Sequence, residues 1–176
     1  LGSLHYMRDT GIYEYCNICL CVSSVFDENI MPSNVAKKYY PDKKCIALYH
    51  GGVGRSITDV GHRLRGEHTV EDFAGYDLVL LGDTHRFQYM DKAQTIAYPG
   101  SLIQQNHSED LLHHGYIEWS IPSMKSHHVH IDNDYGYITL ETRNGVVVIP
   151  KLMPQKPYIR FRIVNTTHSE LATIEK

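Results

Sequence analysis

Two apolar runs constrain the fold of this chain most, because each ends at a glycine-containing loop that carries a histidine or an aspartate. The first run, residues 45–49, leads into His50, and the second, residues 77–81, which is apolar after Asp77, leads into Asp83 and His85. Short apolar runs bounded by turn residues predict strands buried inside an α/β sheet. Open α/β sheets build their ligand sites at the carboxyl ends of strands. His50, Asp83 and His85 are therefore the candidate site residues.

Composition predicts a soluble globular protein with one domain, or one and a fraction. The 176 residues are 42% hydrophobic and 21% charged, which is ordinary for such a chain. The longest apolar run is far shorter than the roughly 18–20 residues that span a bilayer, and the chain does not open with a secretory signal. We therefore expect no membrane association and an intracellular location, cytoplasmic or nuclear. Because the first residue is Leu1, we expect the sequence to be a fragment of a longer protein.

The periodicity changes along the chain, and this change predicts its organisation. Before residue 87, strands alternate with a short helix after Ser33 and a capping-box helix start at Thr69. From there on the pattern is mostly β, and an Asn144–Gly145 pair predicts a hairpin turn. We predict an α/β (α+β) portion over residues 1–125 and a β-rich appendage over residues 126–176.

The four cysteines admit two interpretations. Cys16 and Cys19 have the spacing of a zinc knuckle, and Cys21 would add a third thiolate. Against this, residues 18–25 are β-rich, and no second Cys-x-x-Cys follows. Buried free thiols in a reducing compartment are the default prediction.

Charge is distributed unevenly along the chain, although its net value is only −3. Residues 151–176 carry five basic and two acidic residues, whereas the rest carries twelve basic and eighteen acidic residues. A basic segment on an acidic body is compatible with contacts to a phosphate backbone. Solvated strand faces explain so few charges equally well.

Asp83 and His85 are two residues apart, so in an extended segment both side chains point to the same side. Imidazole and carboxylate together suit Mn, Fe, Zn or Mg. A pair of such ions roughly 3.5–4 Å apart clamps a phosphoester and activates a water for in-line attack. His50, at a neighbouring strand end, would complete one wall of this site. The alternative is that His50 bonds to backbone and Asp83 is a turn residue, and the residues alone leave both interpretations open.

Three segments in order resemble the C-terminal motifs of calcineurin-like metallophosphoesterases. They are LYHGGV at residues 48–53, GYDLVLLGDTHRFQ at 75–88 and YPGS at 98–101. The most similar branch is the SbcD-type DNA-repair nucleases, including versions carried by large DNA viruses, and the opening and final segments fit that branch too. The resemblance implies the C-terminal part of an α-β-β-α sandwich followed by a β-rich capping segment.

The resemblance also implies roles for individual residues. His50 corresponds to the isolated histidine ligand, and His85 to the last histidine of the family's Gly-His-x-His motif. Asp83 stands where the first histidine of that motif normally falls, which changes the charge and the metal preference of the site. The family's Asp-x-His, Gly-Asp and Gly-Asn-His motifs do not occur before His50, so we expect the 176-residue chain alone to be inactive.

The function expected from the resemblance is a fragment of a two-metal phosphoesterase, a DNA exonuclease or endonuclease of DNA repair. Two divalent ions, Mn foremost, would be its cofactors, with Arg160 and Arg162 as candidate phosphate contacts. DNA, an SMC-like ATPase subunit and a second copy of the chain are the expected partners. The alternatives are a non-catalytic assembly or DNA-binding module, and a phosphoesterase acting on small phosphate esters. No Gly-x-Ser-x-Gly elbow or P-loop supports a serine hydrolase or an NTPase.

Overall fold

The computed structural model describes residues 6–174 and contains a six-stranded mixed sheet with the order β1-β2-β3-β4-β6-β5. Its strands are β1 Gly11–Tyr15, β2 Ile18–Ser23, β3 Lys44–His50, β4 Leu78–Gly82, β5 Gln88–Tyr89 and β6 Ile96–Tyr98. The four central strands run parallel, and the two edge strands, β1 and β5, are antiparallel to their neighbours. A central parallel sheet places the carboxyl ends of β3 and β4 side by side, as the sequence predicts.

Two short helical segments connect these strands. Helix α1, Ser33–Tyr39, joins β2 to β3, and a 3-10 helix, Val70–Phe73, precedes β4. The capping box predicted at Thr69 is formed, because the Asp72 carboxylate accepts a hydrogen bond from the Thr69 backbone N–H at 2.7 Å. The prediction of a helix start at this threonine is therefore confirmed.

The remaining strands form two smaller sheets. An antiparallel hairpin pairs β7, Gly115–Ser120, with β8, Lys125–His130. A three-stranded sheet with the order β10-β9-β11 follows. Its members are β9 Tyr135–Arg143, β10 Val146–Val148 and β11 Lys156–Val164, after which comes helix α2, His168–Ile174. The mixed α and β architecture is as predicted, and the predicted boundary after residue 125 falls inside the β7–β8 hairpin.

The main core lies on one face of the six-stranded sheet. Buried residues on that face pack against Val53 and Phe73 from the segment that follows β3; they are Ala47, Val79, Leu81, Ile96 and Tyr98. Apolar side chains alternate with residues of the opposite face, as period-two geometry requires. This packing fixes β3 and β4 and therefore the positions of the residues at their ends.

Three of the four cysteines form a second buried cluster with Ala36 of α1: they are Cys19, Cys21 and Cys45. Cys19 Sγ lies 3.1 Å from Cys45 Sγ, and burial raises the pKa of the Cys21 thiol to about 11 and that of Cys45 to about 12. Thiols held protonated in this way are poor metal ligands. Cys16 is exposed at the β1–β2 turn. The default prediction of buried free thiols is therefore confirmed for Cys19, Cys21 and Cys45 and is wrong for the exposed Cys16.

The opposite face of the sheet is less well covered. Leu48 of β3 and Leu80 of β4 are register partners on this face, and both are only half-buried. They line an open groove of about 620 Å³ whose rim includes the exposed side chain of Phe26. The prediction that the second apolar run is buried on both faces therefore holds for Leu78, Val79 and Leu81, but not for Leu80.

Within residues 6–174, no helix is long and apolar enough to cross a membrane.

Candidate active site

His50 is the last residue of β3 and pairs in register with Gly82, the last residue of β4. The imidazole lies across this glycine, because a Cβ atom built at position 82 would come within 2.7 Å of His50 Cδ2. Glycine therefore provides the space that the histidine ring occupies. The ring is exposed and lines the same groove as Leu48 and Leu80.

Asp83 follows β4 directly, and its backbone is not extended. Its φ is +94°, in a region that residues other than glycine adopt rarely. The sequence predicted that Asp83 and His85 point to the same side because their segment is extended. The prediction of an extended segment is wrong. The two residues nonetheless line one pocket of about 330 Å³, together with Thr58 and Asp59. Asp83 and His85 therefore line the same pocket from a turn rather than from an extended strand.

His85 is held by a carboxylate that the sequence analysis did not single out. Its Nδ1 lies 2.9 Å from Glu109 Oε1, and the Glu109 side chain is only 4% exposed, against 40% for His85. A carboxylate on one ring nitrogen fixes the orientation of an imidazole and leaves the other nitrogen free to act as a ligand. His85 thus has the arrangement of a positioned ligand or base rather than of a freely rotating surface histidine.

Glu109 and Asp83 give the pocket an acidic lining, to which Asp59 also contributes. Burial, reinforced by the nearby negative charge of Glu109, raises the pKa of Asp59 above its usual value. Carboxylates gathered in a partly buried pocket favour a cation there.

Tyr98, the first residue of the YPGS segment, fixes the loop that follows His50. Its buried hydroxyl donates to the Gly51 carbonyl oxygen at 2.6 Å and accepts from the Val53 N–H at 2.9 Å. Gly100 has a φ of +80°, and a Cβ there would lie 2.8 Å from the His85 carbonyl oxygen. The segment whose role the sequence left unassigned therefore supports both histidines through the backbone.

The three predicted metal ligands do not line a single cavity. Asp83 and His85 share one pocket, whereas His50 lines the neighbouring groove. Within the described range 6–174, no group of three or more His, Cys, Asp or Glu side chains is placed to hold a metal ion. Zn usually takes four ligands and Mg six. The nitrogen and oxygen donors present fit a divalent metal in kind, but they supply only part of a coordination shell.

Arg160 and Arg162 lie on β11, far along the chain from this pocket, and both are exposed. Arg160 Nη2 donates to Thr139 Oγ1 at 2.9 Å, and Arg162 Nη1 lies 3.4 Å from Glu141 Oε1. Their register partners are on β9, so both guanidinium groups share one face of the three-stranded sheet. These exposed ion pairs and hydrogen bonds are weak and leave the arginines available to an anion.

The functional residue that sequence reasoning missed is Glu109. It lies 24 residues after His85 in a polar loop, and no motif marks it. The sequence signal was a glutamate inside a segment otherwise rich in Asn, Gln, Ser and His.

Comparison with known proteins identifies a relative without assigning a family. Over 170 residues, covering 93% of this chain, the sequence is 43% identical to an uncharacterized protein of Acanthamoeba polyphaga mimivirus. The chain spans about 12% of the length of that relative. No family model matches the chain.

Proposed function

We propose that this chain forms part of a metal-dependent phosphoesterase that hydrolyses DNA phosphodiesters. The observation that carries the proposal is the pocket after the end of β4, which Asp83 and His85 both line and in which the buried Glu109 carboxylate lies 2.9 Å from His85 Nδ1. The ordered motifs that resemble metallophosphoesterases point to the same reaction. We also propose that the chain forms the C-terminal part of an α-β-β-α sandwich followed by a β-rich capping segment.

Each side chain has a defined task in the proposed reaction. His85 and Asp83 line the same pocket and would hold one side of the metal centre, while His50 would approach from the adjacent strand end. Two divalent ions, with Mn as the expected metal, would supply charge stabilisation and a more acidic attacking water. Glu109 would hold the His85 imidazole in its orientation in the metal-free protein as well.

The basic face of β11 would contact the DNA backbone. Arg160 and Arg162 present exposed guanidinium groups from one face of a sheet, and such groups bind phosphates without reading sequence. Each contact that releases a counterion makes binding more sensitive to salt. An SMC-like ATPase and a second copy of the chain stay as proposed partners.

The test is hydrolysis of duplex and single-stranded DNA by the natural full-length protein loaded with Mn²⁺. We expect metal-dependent cleavage that falls at least about 100-fold in His85→Ala, because removing a ligand or positioned base commonly costs 10²-fold or more. His127→Ala, which removes an exposed imidazole on β8, serves as the matched control and should cleave normally. No cleavage by the Mn-loaded protein, or equal cleavage by His85→Ala, would overturn the proposal.

A second function has one observation in its favour. Because the exposed guanidinium groups of Arg160 and Arg162 can contact phosphates without any metal centre, the chain can instead serve as a non-catalytic module for assembly or DNA binding. That function predicts DNA binding weakened by Arg160→Ala and Arg162→Ala, with no cleavage under any metal. Hydrolysis of p-nitrophenyl phosphate but not of DNA would instead indicate a phosphoesterase for small esters.

A further inference from the structure

A buried carboxylate lies directly behind His85, and nearly all of its hydrogen-bonding capacity is used. Glu109 Oε1 accepts from Asn106 Nδ2 at 2.6 Å and lies 2.9 Å from His85 Nδ1. Oε2 accepts from the Gln105 backbone N–H at 3.0 Å and lies 3.3 Å from Ser101 Oγ. A carboxylate has about four acceptor sites, so these partners leave little capacity for a metal ion. Glu109 is therefore placed to act on His85 rather than to serve as a ligand itself.

The direction of the Glu109–His85 hydrogen bond follows from the chemistry of the two groups. A carboxylate only accepts hydrogen bonds, so the shared hydrogen belongs to His85 Nδ1. The orientation of the Asn106 amide agrees, because its Oδ1 accepts from the Ser108 N–H at 2.9 Å and its Nδ2 must then face Glu109. In neutral His85, Nδ1 therefore carries the hydrogen and Nε2 has the lone pair.

A second histidine extends the network away from the pocket. His114 is buried, and its Nε2 lies 2.6 Å from the Asp110 carbonyl oxygen, which can only accept. In neutral His114, Nδ1 is then an acceptor, and Ser101 Oγ lies 3.0 Å from it. Ser101 Oγ thus lies between His114 Nδ1 and Glu109 Oε2, and its single hydrogen can be donated to only one of these acceptors at a time.

We propose that Glu109 is a positioning residue that locks His85 as the Nδ1–H tautomer and presents the unprotonated Nε2 to the pocket shared with Asp83. The Gln105 N–H and Asn106 Nδ2 donate to the carboxylate and hold it in place, and the carboxylate in turn sets the direction of the imidazole. Carboxylates that hold a ligating histidine in this way typically contribute 10–100-fold to metal affinity. The expected effect on metal affinity rests on the proposed function, whereas the tautomer does not.

The test is two-bond ¹H–¹⁵N NMR of the metal-free, natural full-length protein labelled with ¹⁵N only at histidine. Loss of one set of signals in His85→Gln assigns His85. We expect an Nδ1–H tautomer in the unmodified protein and in Glu109→Gln, whose amide oxygen can still accept. Glu109→Ala should shift His85 towards the Nε2–H form, and Glu118→Ala, which removes an exposed glutamate on β7, should leave it unchanged.

Two results would overturn the proposal: an Nε2–H tautomer at His85 in the unmodified protein, or the same Nδ1–H tautomer in a folded Glu109→Ala variant. The first needs no variant, so a folding defect in Glu109→Ala does not protect the idea. A role of Glu109 in stability alone would leave the His85 tautomer unchanged in both Glu109→Gln and Glu109→Ala. Glu109→Ala is therefore the variant that distinguishes the two roles. A protein that keeps the Nδ1–H tautomer but cleaves no phosphoester supports the positioning role and contradicts the proposed function.

Discussion

Strands β4 and β11 are both rich in large apolar residues, yet one is the centre of the core and the other is mostly solvated. In β4, Leu78, Val79 and Leu81 are at most 3% exposed, whereas Phe161 and Ile163 of β11 are about half exposed at 53% and 52%. β4 has strands on both sides and a layer of apolar side chains across one face, while β11 is an edge strand that pairs only with β9. Burial is decided by the surrounding layers rather than by the hydrophobicity of the strand.

The same difference separates the two groups of candidate functional residues. His85 and Asp83 follow the buried strand β4, and His85 is held by the Glu109 carboxylate and by the Ser101 N–H, which donates to the His85 carbonyl oxygen. Arg160 and Arg162 stand on the solvated strand and make only exposed contacts. Chemistry that requires fixed geometry suits the first group, and adaptable contact with a charged backbone suits the second.

The largest difference between the two strands should appear on truncation of their apolar side chains. Leu78→Ala removes a fully buried side chain and should lower the free energy of unfolding by about 2–5 kcal/mol. Phe161→Ala removes a half-exposed ring and should cost less than about 1 kcal/mol. Urea unfolding followed by circular dichroism measures both, and equal costs would contradict the contrast.

A smaller effect should follow from removing the hydroxyl that secures the loop after His50. Tyr98→Phe leaves the Gly51 carbonyl and the buried Val53 N–H without their partner and should cost about 1–3 kcal/mol. Hydrogen exchange at the Val53 amide should accelerate as well. Tyr116→Phe, on an exposed ring of β7, is the matched control. A Val53 amide that stays equally protected in Tyr98→Phe would show that the Tyr98 hydroxyl does not hold this loop.

The smallest effect concerns the β7–β8 hairpin and its dependence on pH. His128 stacks on Phe87 with ring centroids 4.1 Å apart, and its Nε2 is buried without a hydrogen-bond partner among residues 6–174. Burial, followed by the positive charge of His130, lowers the pKa of His128 below its ordinary value of 6.5. The unfolded chain therefore takes up this proton at a higher pH than the folded protein, and stability should decline as the pH falls below about 6.5.

His128→Phe is the control for that dependence, because it keeps a ring against Phe87 and removes the titrating group. Unfolding midpoints measured between pH 5 and pH 7.5 should fall less steeply in this variant than in the unmodified protein. Identical slopes would mean that other histidines account for the dependence.

Local patterns were sufficient for much of the fold. The apolar runs predicted β3 and β4, and Asn144–Gly145 predicted the turn between β9 and β10, where both residues have positive φ. These features depend on neighbours in sequence, which periodicity and turn chemistry describe directly. The exposure of β11 was not predictable in this way, because it depends on which other layers pack against the strand.

The candidate site was predicted only in part, and for a similar reason. Gly51 and Gly82 indicated the ends of β3 and β4. In the structure His50 is the last residue of β3, and His85 lies in the segment that follows β4. The left-handed backbone of Asp83 and the contact between His85 and Glu109 arise from tertiary packing. A hydrogen bond between residues 24 positions apart has no periodic signature, so neither periodicity nor motif spacing could identify Glu109 as the partner of His85.

The measurement that tests the central claim most directly is isothermal titration calorimetry of Mn²⁺ binding to the natural full-length protein. Loss of one ligand should weaken binding in His85→Ala by at least about 10–100-fold, an effect no smaller than that of losing its carboxylate support. His127→Ala should bind as the unmodified protein does. Unchanged Mn²⁺ affinity in a folded His85→Ala variant would contradict the claim that the end of β4 contributes to a metal centre.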